Sequence, residues 1–263
     1  MEIVICPTAE DAGEVAAARV AQVATQKGGP AVLGVATGSS PLALYRSLAA
    51  RVQRGDLDLS AASAFALDEY VGLPASDPQS YASIIHETVT VPLGLDPARV
   101  HVPAGNAADL RQACDDYEAA IKAAGGVDVQ ILGVGSNGHI GFNEPTSSLA
   151  SRTRIKTLNE QTRRDNARFF PTLDDVPQHC LTQGLGTIMD ARAVVLVAQG
   201  EGKADAIAGL VEGPVSAMCP GSVLQLHRTV TVVIDEAAAA KLTLRDYYAH
   251  TYAHKPAWQR FAD

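Results

Sequence analysis

The residues best equipped for chemistry lie in the run Gly133-Val134-Gly135-Ser136-Asn137-Gly138-His139-Ile140-Gly141-Phe142-Asn143-Glu144-Pro145. An imidazole, two amides and a carboxylate are carried there on a backbone with little steric bulk. His139 precedes Glu144 by five residues, close enough for the carboxylate to orient the ring and keep it basic, which suits proton transfer near neutral pH. A solitary histidine after a strand is usually structural; one set among so many glycines and amides usually is not. Two other chemistries fit worse. Gly133, Gly135 and Gly138 satisfy the G-x-G-x-x-G pattern of dinucleotide sites, but such a site needs a helix running on from the third glycine, and Gly141 and Pro145 break one almost at once. A zinc site would need H-E-x-x-H or a second histidine nearby, and the other six are scattered, so no metal is expected.

Two further stretches end apolar runs with reactive groups. In Ala66-Leu67-Asp68-Glu69-Tyr70 two adjacent carboxylates close a strand. Neighbours on a strand point to opposite faces, so only one of them can enter a cleft, where it would serve as a general base. An isolated Asp-Glu pair is more commonly a helix cap or a surface ion pair. In Val35-Ala36-Thr37-Gly38-Ser39-Ser40-Pro41 a strand runs into a small hydroxyl-rich turn and Pro41 opens a helix. Unpaired N–H groups and the positive end of the helix dipole suit a phosphate there. The turn lacks Gly-Lys-Ser/Thr, so it is not a nucleotide loop of the Walker type. Taken alone, it also reads as an ordinary strand–turn–helix junction with Ser40 as N-cap.

These loops must be held by the elements around them. Apolar runs at Glu2–Cys6, 31–36, 64–67, 127–133, Ala193–Ala198 and Val230–Asp235 read as strands, and Ala9–Gln26, 41–54, 107–124 and 202–211 as helices. Continuously apolar strands separated by helices predict a doubly wound, mostly parallel α/β sheet covered on both faces. Such sheets bind ligands beyond the carboxyl ends of their strands, where the three reactive stretches fall. No internal repeat or Gly/Ser linker divides the 263 residues, so one domain with added lid elements is expected.

Composition narrows the partners. The net charge is -8 and no Lys/Arg run occurs, which disfavours nucleic acid and anionic membranes. No apolar run approaches membrane-spanning length, and the start of the chain does not resemble a secretory signal. Cys6, Cys114, Cys180 and Cys219 form no C-x-x-C pair, so a cytoplasmic protein with reduced thiols is expected.

At the His139 segment the sequence resembles the glucosamine-6-phosphate deaminase family, whose members turn glucosamine 6-phosphate and water into fructose 6-phosphate and ammonium. The likeness spans 31–48, 67–81, 129–170, the turn Thr182-Gln183-Gly184-Leu185-Gly186-Thr187 and Leu224-Gln225-Leu226-His227. Its most specific parts are Leu67-Asp68-Glu69-Tyr70-Val71-Gly72-Leu73 and Gly138-His139-Ile140-Gly141-Phe142-Asn143-Glu144-Pro145. The resemblance implies Asp68 as the proton-transfer base, His139 as the ring-opening group and Glu144 as its partner. It also implies a phosphate held by Thr37, Gly38, Ser39, Arg168 and Lys203, with no cofactor. Some members carry an acid where this chain has Asn137; an amide there orients a hydroxyl or the imidazole but takes no proton. In allosteric members, residues matching Ser147, Ser148, Ser151, Arg154, Lys156 and Thr157 surround an effector pocket for N-acetylglucosamine 6-phosphate at a subunit interface. The same segment could instead be a structural lid. A homo-oligomer, hexameric if allosteric, follows only from the resemblance. Sugar-phosphate lactonases share the fold but do not usually continue with Phe-Asn-Glu-Pro. Sugar-phosphate sensors would need no such acid–base set, and a deaminase for the galacto epimer is the rival that the residues least exclude.

Overall fold

The computed structural model describes residues 1–260. Its strands and helices run β1 (Glu2–Cys6), α1 (Ala9–Gln26), β2 (Val32–Val35), α2 (Leu42–Arg54), β3 (Ser63–Ala66), β4 (Asp68–Tyr70), α3 (Tyr81–Ile85), β5 (Val100–His101), α4 (Leu110–Ala123), β6 (Val129–Leu132), β7 (Arg154–Thr157), α5 (Glu160–Asn166), β8 (His179–Thr182), α6 (Leu185–Met189), β9 (Ala193–Ala198), α7 (Ala204–Val211), β10 (Val230–Asp235) and α8 (Arg245–Ala253). Seven strands form one parallel sheet in the order β1-β10-β9-β6-β2-β3-β5. The doubly wound class expected from the apolar runs is the one observed.

The reason is visible in β9. Ala193, Val195 and Val197 enter a core shared with α1 and α2, whereas Val194, Leu196 and Ala198 enter a second core under α4 and α7. Alternate residues face opposite sides of a strand, so a strand covered on both sides must be apolar throughout. Each fully buried Val or Leu contributes about 1.5–3 kcal/mol. From β2 the sheet grows through β3 to β5 on one side and through β6, β9 and β10 on the other. The winding therefore reverses between β2 and β6, whose backbones pair at Leu33 and Gly34.

Three features differ from expectation. The residues after 66 do not simply end a strand: Asp68–Tyr70 starts a separate antiparallel sheet in the order β4-β8-β7. Helix α2 begins at Leu42, with Pro41 rather than Ser40 in the N-cap position and no side-chain cap. Strand β5 has only two residues, too few for a pattern to register.

Candidate active site

Beyond the switch between β2 and β6 lies a cavity of about 190 Å³. Its wall includes Thr37, Gly38 and Ser39 from the turn after β2, Asp68 at the crossover from β3 into β4, and His139 from the loop after β6. Arg168 and Lys203 close another side. Of the residues singled out in sequence, these are the ones brought together at the cavity.

Asp68 owes its position to a change of sheet. Leu67 N–H still bonds Val35 in the parallel sheet, while Leu67 C=O accepts from Gln183 next to β8 (2.7 Å). The following residue then pairs with Thr182 in the small sheet. Its carboxyl group is buried, and no hydrogen bond reaches it among the described residues. Burial, and secondarily the charge of Glu69, push its pKa up to about 8. Glu69 points the other way, as strand alternation requires. Its carboxylate accepts the N–H groups of Tyr70 (2.7 Å), Tyr81 (2.9 Å) and Ala82 (2.9 Å), so it caps α3. Of the two acids, one has the reactive setting and the other the structural one.

The imidazole reaches Glu144 chiefly through Asn137. Its Nδ1–H donates to Asn137 Oδ1 at 2.7 Å, and Asn137 Nδ2–H donates to Glu144 Oε2 at 2.8 Å. The direct Nδ1 to Oε2 separation is 3.6 Å. Glu144 thus lies at ion-pair distance from His139, and Asn137, hydrogen-bonded to both, relays the orientation. With Nδ1 as donor, Nε2 is the unprotonated nitrogen of the neutral ring. Burial would raise the Glu144 carboxyl, but the groups on His139, Thr162 and Asn137 outweigh it and hold the pKa down at about 2. Thr162 Oγ1, from α5, donates to its other oxygen.

The loop keeps this geometry through close approaches. A Cβ on Gly135 would lie 2.1 Å from the His139 ring, so only glycine lets the imidazole fold back over its own loop. Gly141 has φ +55 and faces Thr182 and Asp68. Asn143 Nδ2 ties the turn to Ile140 C=O and to Gln183 C=O.

On the phosphate-like side, Tyr45 on α2 binds back to both backbone groups of Ala36, fixing the start of the turn. Gly38 takes φ +89. Burial pushes the Lys203 ammonium below its usual range; Asp165 opposes this and Arg168 adds to it. An anion between the two cations would relieve both penalties.

Sequence reasoning missed Tyr81, Thr162, Asp165 and Asn166, which also border the cavity. None stands in a reactive-looking motif, and α3 and α5 are too short to signal themselves. The residues Ser147, Ser148, Ser151, Arg154, Lys156 and Thr157 are absent from the cavity wall. Ser147 is buried, with Oγ unpartnered. Ser148 Oγ accepts from Ala150 N–H, and Ser151 Oγ from Leu185 N–H. Arg154 and Lys156 share one face of β7, opposite Thr182 and Cys180. Among the described residues, no three His, Cys, Asp or Glu side chains cluster as metal ligands, and no helix is long and apolar enough to cross a membrane.

Comparison with known proteins agrees with this picture. Residues 7–233 match the family described as glucosamine-6-phosphate isomerases/6-phosphogluconolactonase. The glucosamine-6-phosphate deaminase of Cutibacterium acnes is 62% identical over 251 residues, covering 95% of this chain and 96% of its own. That of Streptomyces coelicolor is 59% identical over 260 residues, covering 98% and 99%. The solved structure of a monomeric glucosamine-6-phosphate deaminase superposes with a TM-score of 0.89 at 42% identity, covering 92% of this chain and all of that one. A 6-phosphogluconolactonase from Trypanosoma cruzi shares the fold at 20% identity, with a TM-score of 0.73 over 92% of this chain and 97% of its own. Sheet order, cavity and relatives converge: this chain belongs to the glucosamine-6-phosphate isomerase/6-phosphogluconolactonase family, on its deaminase side.

Proposed function

We propose that this enzyme isomerises and hydrolytically deaminates glucosamine 6-phosphate, giving fructose 6-phosphate and ammonium. The observation that carries the reading is one shared cavity bordered by Asp68, His139, Arg168 and Lys203. In this mechanism His139 moves a proton from the anomeric hydroxyl to the ring oxygen, opening the pyranose. Its orientation comes from Asn137 and, through it, Glu144. Asp68 then carries the C2 proton to C1, and water hydrolyses the resulting imine at C2, releasing ammonium. The substrate's own carbonyl and amine take up the electrons, so the reading calls on no metal or organic cofactor. Thr37, Gly38, Ser39, Arg168 and Lys203 are assigned to the phosphate, where Arg supplies a planar fork and Lys a point charge.

The test is ammonia release from a panel of hexosamine 6-phosphates and their free sugars. Glucosamine 6-phosphate is expected to be turned over and free glucosamine hardly at all. Equal rates on both would overturn the phosphate site. A stronger response to the galacto epimer would replace the substrate while keeping the chemistry.

A second, regulatory reading concerns the segment 147–157. Arg154 and Lys156 are half-buried on one face of β7 outside the cavity, a pairing suited to a second sugar phosphate such as N-acetylglucosamine 6-phosphate, with Ser147, Ser148, Ser151 and Thr157 nearby in sequence. In this reading the protein is a homo-oligomer, a hexamer if the effector acts at a subunit interface. Hyperbolic kinetics unchanged by that compound, from a species sedimenting as a monomer, would remove it. A cytoplasmic site of action is supported by four free cysteines, three of them buried.

A further inference from the structure

Glu69 takes no part in the proton transfers proposed above, yet it is 4% exposed and has no basic side chain within salt-bridge reach among the described residues. Three backbone N–H groups satisfy it, and two of them, on Tyr81 and Ala82, begin α3. An all-acceptor group is required there. Glutamine in the same pose would turn an NH₂ toward one of these N–H groups.

The helix it grips supplies part of the cavity wall. The Tyr81 ring lies parallel to Phe142, with centroids 6.0 Å apart at 9°, and against Tyr70 at 4.8 Å. Its hydroxyl is 3.4 Å from that of Tyr70 and beside Thr37. The titratable groups facing Asp68 are Tyr70 on its own strand, Tyr81 on α3, Tyr117 on α4 and Cys180 on β8. Burial pushes all four above their usual range, so each is neutral near pH 7. His139, Asp165, Arg168 and Lys203 share the cavity.

We propose that Glu69 is a positioning residue for the Asp68 base: by gripping the first turn of α3 it holds Tyr81 in the cavity wall that Asp68 shares, and it sets its own carboxylate on the opposite face of β4. The inference rests on the deaminase reading. In it, the Glu69 carboxylate adds to burial, the larger cause, in making Asp68 a stronger base, with its pKa pushed up to about 8.

The experiment compares wild type with Glu69→Gln and Glu69→Asp. Turnover and KM for glucosamine 6-phosphate are measured from roughly pH 5 to 9, and the Asp68 carboxyl is titrated by ¹³C NMR of aspartate-labelled protein without substrate. Glu69→Gln is expected to lower the limiting kcat on the plateau above the acid limb about tenfold with KM within about threefold, and to move the acid limb and the Asp68 titration down by about half a unit or more. Glu69→Asp keeps the charge but not the reach, so its titration stays near that of wild type while kcat falls. Superimposable pH profiles and Asp68 titrations in wild type and Glu69→Gln would overturn the proposal, whatever happens to stability. Should Glu69→Gln fail to fold, undiminished kcat in Glu69→Asp would overturn it instead. Wild type releasing no ammonia from any hexosamine 6-phosphate would sink the deaminase reading alone, because the NMR titration still decides the role of Glu69.

Discussion

Asp68 is a carboxylate held where its charge is costly, and this has consequences for stability as well as rate. An unfolded chain releases this proton near pH 4, whereas the folded protein keeps it up to about 8. Between those values the folded state binds more protons than the unfolded one, so stability falls as pH rises, by at most about 1.4 kcal/mol per pH unit for one group. Asp68→Asn should therefore lower kcat by ~10²–10⁴-fold with little change in KM. Its Tm should also fall less steeply than that of wild type between pH 5 and about 8. Equal turnover, or equal pH slopes, would remove Asp68 from the role assigned to it. Arg168→Ala should act on binding, raising KM about tenfold or more while leaving kcat within a few-fold, because a charge-assisted hydrogen bond contributes roughly 1.5–3 kcal/mol. Glu144 has the opposite linkage: its pKa is held down at about 2, so its contribution is present above its unfolded value and is lost as pH falls toward 2. His139 and the Asp68–Glu69 pair could be picked out from residue type and local spacing, while the choice of Asp68 within the pair came from the family resemblance. Tyr81 and Thr162 could not, since an ordinary tyrosine and threonine acquire a role only through what folds against them.

At the scale of elements, the boundary between what pattern reveals and what it hides follows burial. Strands β1, β9 and β10 were readable to the residue because two cores cover them. The small sheet was not. Its β7 strand, Arg-Ile-Lys-Thr, alternates half-buried and exposed positions with no apolar signal, and is held by polar contacts at its base. Glu118 on α4 accepts from Thr153 N–H (2.8 Å), from the Thr153 hydroxyl and from the Thr187 hydroxyl on α6, and it pairs with Arg152. This carboxylate joins the segment carrying β7 to the main body. Glu118→Ala leaves those donors unpaired, at a cost of about 1–3 kcal/mol. Hydrogen exchange should accelerate first across residues 153–182, with the central strands still protected. Uniform acceleration over the whole chain would show that Glu118 supports the fold generally and not this junction.

For the molecule as a whole, charge and cavity pull in opposite directions. A net charge of -8 repels a sugar phosphate at long range, while Arg168 and Lys203 attract it at short range. Because Lys203 is half-buried and weakly screened whereas Arg168 is exposed, moderate salt should raise KM only a few-fold; a steeper rise would mean that Lys203 contributes little to holding the phosphate. Turnover should also survive EDTA treatment, and a loss restored by added divalent metal would overturn the metal-free mechanism. Sequence by itself determined the sheet class, the three loops that carry the reactive groups and the choice between a deaminase-like and a dinucleotide reading, because apolar periodicity, glycine placement and short motifs are local properties. Only the tertiary structure decided that Asn137 bridges His139 and Glu144, that Asp68 borders the cavity while Glu69 caps α3, and that α3 and α5 complete the wall. Those outcomes depend on which distant segments pack together, and no residue's own neighbours in the chain record that.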